Sequence, residues 1–209
     1  MLNTFKVFLD FDGTLIDSRC RQYNLFKDLV PECTMTFEEY WRIKRQGVSQ
    51  AEMLKKYFDY DQDTISVIHD VWMSKIEDQN LLELDKPFEG IDNFLNQVSQ
   101  MFCLCLVTAR QNPDLVSWQL DKFGWVKFFN YVLVTRQGIS KSEIINQYVN
   151  FEEYDIIIGD TGEDVKAGKS LGIRTAAVTY GILDADRLET YSPDYLIASP
   201  DELFKLIVS

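Results

Sequence analysis

The stretch that decides the fold is Phe5-Lys6-Val7-Phe8-Leu9-Asp10-Phe11-Asp12-Gly13-Thr14. Its first five residues read as a short buried strand, and two acids followed by glycine end that strand abruptly. Further short apolar runs lie downstream: Phe102–Val107, Tyr131–Val134, Tyr154–Ile158, Thr175–Val178 and, as an edge strand, Tyr195–Ile197. Helical patterns separate them. Asn112-Pro113 starts one helix, with Asn as cap and Pro in the first turn. Ser140 and Glu143 have capping-box spacing at the head of another. Thr161 opens a third, which closes at Gly172. Strands alternating with helices are the mark of βαβ units and a parallel sheet, so the fold class is α/β.

One stretch breaks the alternation. About 90 residues separate the first two strands, far more than the dozen a crossover helix needs. Residues 18–30, 36–46, 50–59 and 62–79 read as four helices, with Ile65, Ile68, Val71, Trp72 and Ile76 at helical spacing. The expected organisation is a sheet domain from 1–16 and 86–209 with an inserted helical domain at 17–85.

The chain has 209 residues, 46% hydrophobic and 26% charged, an ordinary globular balance. Its 33 acidic and 21 basic residues give a formal net charge of -12, and no basic run offsets it, which argues against a nucleic-acid partner. No apolar run has the length to cross a bilayer, and Met1–Lys6 lacks the pattern of a secretory leader. Cys20, Cys33, Cys103 and Cys105 have no metal-binding spacing and read as reduced thiols, so a cytoplasmic location is expected.

Ligands of open parallel sheets bind beyond the carboxyl ends of the strands. Asp10 and Asp12 follow the first strand, Thr108 the second, Lys141 the third, and Asp160 and Asp164 the fourth. Each type has a task in phosphoryl transfer. A carboxylate is ionised at neutral pH and attacks phosphorus without an activating base, forming an aspartyl-phosphate. It needs relief from charge repulsion, and Mg²⁺ suits a hard site built from Asp10, the Asp12 carbonyl and Asp160. Asp12 is placed to protonate a leaving alkoxide and later to deprotonate water. Gly13 permits a backbone excursion that frees N–H groups, Thr108 and the Ala109 N–H are neutral donors, and Lys141 is a point positive charge.

Each piece also has an ordinary reading. Asp-Gly favours turns, Thr commonly ends strands, Lys141 could be a solvated lysine, and Asp160 and Asp164 could be a cap and a first-turn acid. Lys141 is the odd one. It stands in a first helical turn, where the helix dipole disfavours a cation. The shared order of all four pieces along the sheet favours the chemical reading.

These residues resemble the haloacid dehalogenase-like hydrolase superfamily over essentially the whole chain. Asp10–Leu15 looks like its first motif, Val107-Thr108-Ala109-Arg110 its second, Lys141 its third and Gly159–Asp164 its fourth. The resemblance implies a Rossmann-like core with a helical cap, placed as in phosphoglycolate-phosphatase-like members. It carries the nucleophile to Asp10, the acid/base to Asp12, phosphate contacts to Thr108, Ala109 and Lys141, and Mg²⁺ ligation to Asp10, Asp12 and Asp160. Asp164 would be an outer group holding the lysine or a metal-bound water.

The presence of Asp12 argues against dehalogenation, which needs no protonated leaving group. A phosphonatase uses a cap lysine just downstream of the first motif as a Schiff base, and the stretch after that motif has no lysine before Lys27. Gln46–Gln50 resembles the specificity loop of β-phosphoglucomutase, but Gln50 stands where an arginine would hold a second phosphate. Gln22 lies near the place of that family's cap histidine, and the single histidine, His69, reads as a helix-surface residue. Hydrolysis of a small phosphorylated metabolite is therefore favoured over a hexose-phosphate mutase. It is also favoured over a receiver-type phospho-Asp or binding protein, which has no lid and no leaving group to protonate. Arg45, Gly47 and Ser49, with Arg42 and Lys44, are candidates for substrate contact. Gly47, Ser49 and Glu52 also make an ordinary helix–helix corner. Oligomeric state is not legible.

Overall fold

The computed structural model describes residues 5–208; Met1–Thr4, part of the segment read above for a leader, and Ser209 lie outside the described residues. The strands are β1 (Lys6–Leu9), β2 (Ile16–Asp17), β3 (Lys86–Pro87), β4 (Cys103–Thr108), β5 (Tyr131–Val134), β6 (Ile156–Gly159), β7 (Arg174–Val178) and β8 (Tyr195–Ile197). Six of them form one parallel sheet in the order β5-β4-β1-β6-β7-β8, which agrees with the expected Rossmann-like α/β class. β1 lies in the middle of that order, between β4 and β6.

Side chains alternate across the sheet, so two cores form. Val7, Leu9, Leu104, Leu106, Ile156 and Ile158 face one side, against α6 (Ile91–Val98), α7 (Pro113–Lys122) and α11 (Pro200–Val208). Phe8, Cys105, Val107 and Ile157 face the other, against α8 (Lys141–Tyr148) and α9 (Gly162–Leu171). Burial on both faces is why these strands read as continuous apolar runs. α10 (Ala185–Glu189) precedes the edge strand β8. The caps at Asn112, Ser140 and Gly172 are present; Gly172 has φ 71°.

The chain divides into two compact units: Ser18–Asp85, and the described residues on either side of it. The first holds α1 (Arg19–Leu29), α2 (Phe37–Arg45), α3 (Gln50–Phe58), α4 (Gln62–Lys75) and a single turn, α5 (Gln79–Leu82). The stretch read as one helix over 62–79 is thus two, parted around Ile76–Asp78, where the Ile76 carbonyl accepts instead from Arg21 Nη1 at 2.8 Å. Phe26, Tyr40, Trp41, Met53 and Leu54 make this unit's core. The antiparallel pair β2–β3, invisible as two-residue strands in the sequence, joins the chain just before the helical unit to the chain just after it.

Candidate active site

Loops that leave the carboxyl ends of β1, β6 and β5 bring three acids and a lysine together. Asp10 follows β1, and its backbone N–H donates to the Ile158 carbonyl of β6 at 2.9 Å. Asp160 follows β6, and Asp164 lies in the first turn of α9. One carboxylate oxygen from each of Asp10, Asp160 and Asp164 lies within 4.8 Å of the others, and all three residues are buried. Lys141, at the first position of α8, reaches into this group. Its Nζ donates to Asp10 Oδ1 and to Asp164 Oδ1, each at 2.5 Å. That accounts for a cation where the helix dipole opposes one, because two buried carboxylates outweigh the dipole.

The electrostatics follow from burial. Loss of water pushes the Asp10 carboxyl up to about 7; Lys141 pulls the other way, and Asp164 and Asp12 add to the rise. Asp160 is raised well above the carboxylate range, first by burial and then by Asp10 and Asp164. Burial also works against the charge on Lys141, but Asp10 and Asp164 outweigh it and hold the ammonium above its ordinary range. Three acids face one lysine, so ionising all of them leaves excess negative charge; burial and mutual repulsion oppose that, and a divalent cation would balance it.

A loop after β7, not singled out by the sequence reading, shapes Asp160. The Ile182 N–H donates to Asp160 Oδ2 at 2.6 Å. Asp160 Oδ1 is buried with no hydrogen-bond partner. Such an orphaned oxygen is costly unless a ligand meets it. Hard oxygens, excess charge and one unfilled coordination direction together fit Mg²⁺. Glycines make the space. A Cβ on Gly13, which has φ +81°, would lie 1.9 Å from Asp160 Oδ2, and one on Gly181 would lie 2.4 Å from Asp160 Cβ. Tyr180 in the same loop donates its hydroxyl to the Thr14 carbonyl at 3.1 Å. The legible signal was a glycine standing just beyond a strand at the same sheet edge.

The loop over 10–16 pairs the N–H groups of residues 13–16 within itself. The N–H of Gly13 is not freed; it donates to the Ile16 carbonyl at 2.8 Å, and the Leu15 and Ile16 N–H groups donate to the Phe11 carbonyl. Gly13 serves by its left-handed φ and its missing side chain. Thr14 Oγ1 donates to Asp10 Oδ2 at 3.4 Å.

The Asp12 carboxylate does not join the acid cluster. It forms a fork with Arg110, in which Nε donates to Oδ2 and Nη2 donates to Oδ1 at 2.9 Å. Arg110 had been quoted only as part of a motif. Its signal was a cation just beyond the end of β4, the strand paired with β1. Thr108 is buried at that strand end, and Ala109 beside it is exposed.

Arg45, Gly47 and Ser49 lie in the helical unit, at the corner between α2 and α3. Gly47 has φ 83°, and Ser49 caps α3 in a reciprocal pair with Glu52. Lys44 is half-buried there, and burial lowers its amine to about 8 against the opposing pull of Glu52. His69 is exposed on α4.

With this geometry in place, similarity to known proteins decides the family. The family model for haloacid dehalogenase-like hydrolases matches residues 7–178. The chain belongs to that family. It is an enzyme, a hydrolase of the phosphatase type. Pyrophosphatase PpaX of Halalkalibacterium halodurans is 27% identical over 218 residues, covering 96% of this chain and 95% of its own length. Phosphoglycolate phosphatase of Synechococcus elongatus is 23% identical over 221 residues, with 96% of each chain covered. A haloacid dehalogenase-like family hydrolase of Streptococcus pneumoniae shares the fold, with a TM-score of 0.79 at 23% identity over 99% of this chain and all of that one.

Proposed function

We propose that this haloacid dehalogenase-like hydrolase is a Mg²⁺-dependent phosphatase that hydrolyses a small phosphomonoester through an aspartyl-phosphate on Asp10. The observation that carries this reading is the buried meeting of Asp10, Asp160, Asp164 and Lys141, with Asp160 Oδ1 left without a partner.

Asp10, the Asp12 carbonyl and Asp160 would hold the ion, which when bound supplies the positive charge that lets an anionic nucleophile meet an anionic phosphoryl group. Lys141, the Thr108 hydroxyl and the Ala109 N–H bind the phosphoryl oxygens. An Asp10 oxygen forms the new bond to phosphorus while the bond from phosphorus to the alcohol oxygen breaks. Asp12 delivers a proton to that departing oxygen, then takes one from the water that releases phosphate. Asp164 keeps Lys141 in place, and its carboxylate also accepts from the Thr161 N–H and hydroxyl. The helical unit, inserted directly after the nucleophile loop, is read as the cap that excludes bulk water, with Arg45, Gly47 and Ser49 as its candidate substrate contacts.

The test is phosphate release from a panel of phosphorylated metabolites, with inorganic pyrophosphate included because the PpaX relatives are named pyrophosphatases. Activity should appear with Mg²⁺ and vanish with EDTA. Asp10→Asn should lower turnover on the order of 10⁴-fold with the fold intact. Full activity of that variant would remove the nucleophile assignment, and activity surviving chelation would remove the metal.

A further inference from the structure

We infer that Arg110 is the positioning residue of this phosphatase: it holds the Asp12 carboxylate at the angle and distance from which that group reaches the leaving oxygen. The inference rests on the reading of Asp12 as the acid/base.

Arg110 has two anchors of its own besides Asp12. Its backbone N–H donates to Thr108 Oγ1 at 3.3 Å, which ties it to the end of β4. Its guanidinium carbon lies 5.6 Å from the centroid of the Phe11 ring, a cation over a buried aromatic face. Its fork then engages both oxygens of Asp12. Arg110 is only 5% exposed, so this is a built contact and not a mobile surface pair. A two-point fork fixes the plane of a carboxylate as well as its distance, which a lysine cannot do.

The same arrangement leaves part of the Asp12 carboxylate facing solvent. A carboxylate offers about four lone-pair directions, and the fork takes one on each oxygen. The Asp12 side chain keeps 21% of its surface exposed beside the fork. The position is also economical in sequence terms. β1 and β4 are hydrogen-bonded neighbours with Leu9 opposite Leu106, so the loops that leave them run side by side and bring residues 12 and 110 together.

The test is a double-mutant cycle on kcat and KM with Mg²⁺ present. It uses the best phosphomonoester from the panel and follows each variant's thermal melt. Arg110→Ala should lower kcat about 100-fold, the scale of a displaced catalytic group, with KM nearly unchanged. Arg110→Lys, which keeps charge and one bond, should recover part of the loss. In an Asp12→Asn background the Arg110→Ala change should cost almost nothing further. Three results overturn the inference: wild-type kcat in Arg110→Ala, a loss confined to KM, or an undiminished loss in the Asp12→Asn background. If Arg110→Ala does not fold, Arg110→Gln and Arg110→Lys are judged by the same three criteria. Wild-type kcat in Asp12→Asn alone marks a different failure, that of the acid/base reading, and takes the inference with it.

Discussion

At the residue scale the site is defined by charge held out of water. Asp10 is raised to about 7, mainly by burial. Its folded value therefore lies above the ordinary carboxylate value of 3.8, and between those limits the folded chain binds more protons than the unfolded one. The contribution of Asp10 to stability is thus largest at low pH and declines as pH rises from about 4 to about 7, opposite to a salt-bridged surface acid. Without metal, melting curves between pH 5 and pH 8 should show this group pulling stability down at the upper end. Saturating Mg²⁺ should cancel the decline, since the ion favours the ionised form. Calorimetric titration should show Mg²⁺ affinity weakening as pH falls below 7. Affinity that stays flat across that range would mean Asp10 is not a ligand. Gly13 supplies a second prediction. Gly13→Ala adds a methyl 1.9 Å from Asp160 Oδ2 at φ +81°, so Mg²⁺ binding and turnover should both fall at least about tenfold. Unchanged Mg²⁺ affinity by calorimetry would show that the loop relaxes without moving Asp160.

At the element scale, helix starts and strand ends explain where the groups stand. Ser140 caps α8 and exchanges hydrogen bonds with Glu143, so Lys141 is carried at a fixed height above the sheet edge. Asp164 does for the chain entering α9 what Glu143 does for α8, and holds Lys141 as well. In the helical unit Arg21 on α1 makes a buried pair with Asp85 at 3.0 Å, backed by the bond from Arg21 to the Ile76 carbonyl. It ties the first helix of this unit to its last residue. Arg21→Ala leaves Asp85 charged, buried and without that partner, and should destabilise the protein by about 3–5 kcal/mol in urea unfolding. A change below 1 kcal/mol would show that water reaches Asp85 once the arginine is gone.

At the scale of the whole molecule the net charge of -12 repels anionic substrates, while the buried lysine and a bound cation attract them over short distances. Moderate KCl should screen the first effect more than the second, so kcat/KM for a phosphomonoester should rise from 10 to about 100 mM salt. A monotonic fall would mean that the local positive site steers substrate on its own.

Much of the fold was legible in the sequence because its causes are local. Apolar runs, the caps at Asn112 and Ser140 and the glycine stop at Gly172 each depend on a few neighbouring residues. So does the placing of Asp10, Thr108, Lys141 and Asp160 at or just after the elements that present them. The two-residue strands β2 and β3 were not legible, because pairing across some seventy residues leaves no periodicity to read. The break after Lys75 was equally hidden, since it accompanies a bond from Arg21. What the chain by itself determined was therefore the set of elements and the chemical types at their ends. Tertiary structure alone decided that β1 lies between β4 and β6, that Arg110 takes Asp12 away from the acid cluster, and that the Ile182 N–H occupies one oxygen of Asp160 and leaves the other bare. Those contacts arise from hydrogen-bond register and burial between segments far apart in sequence, and a single chain read in order carries no record of either.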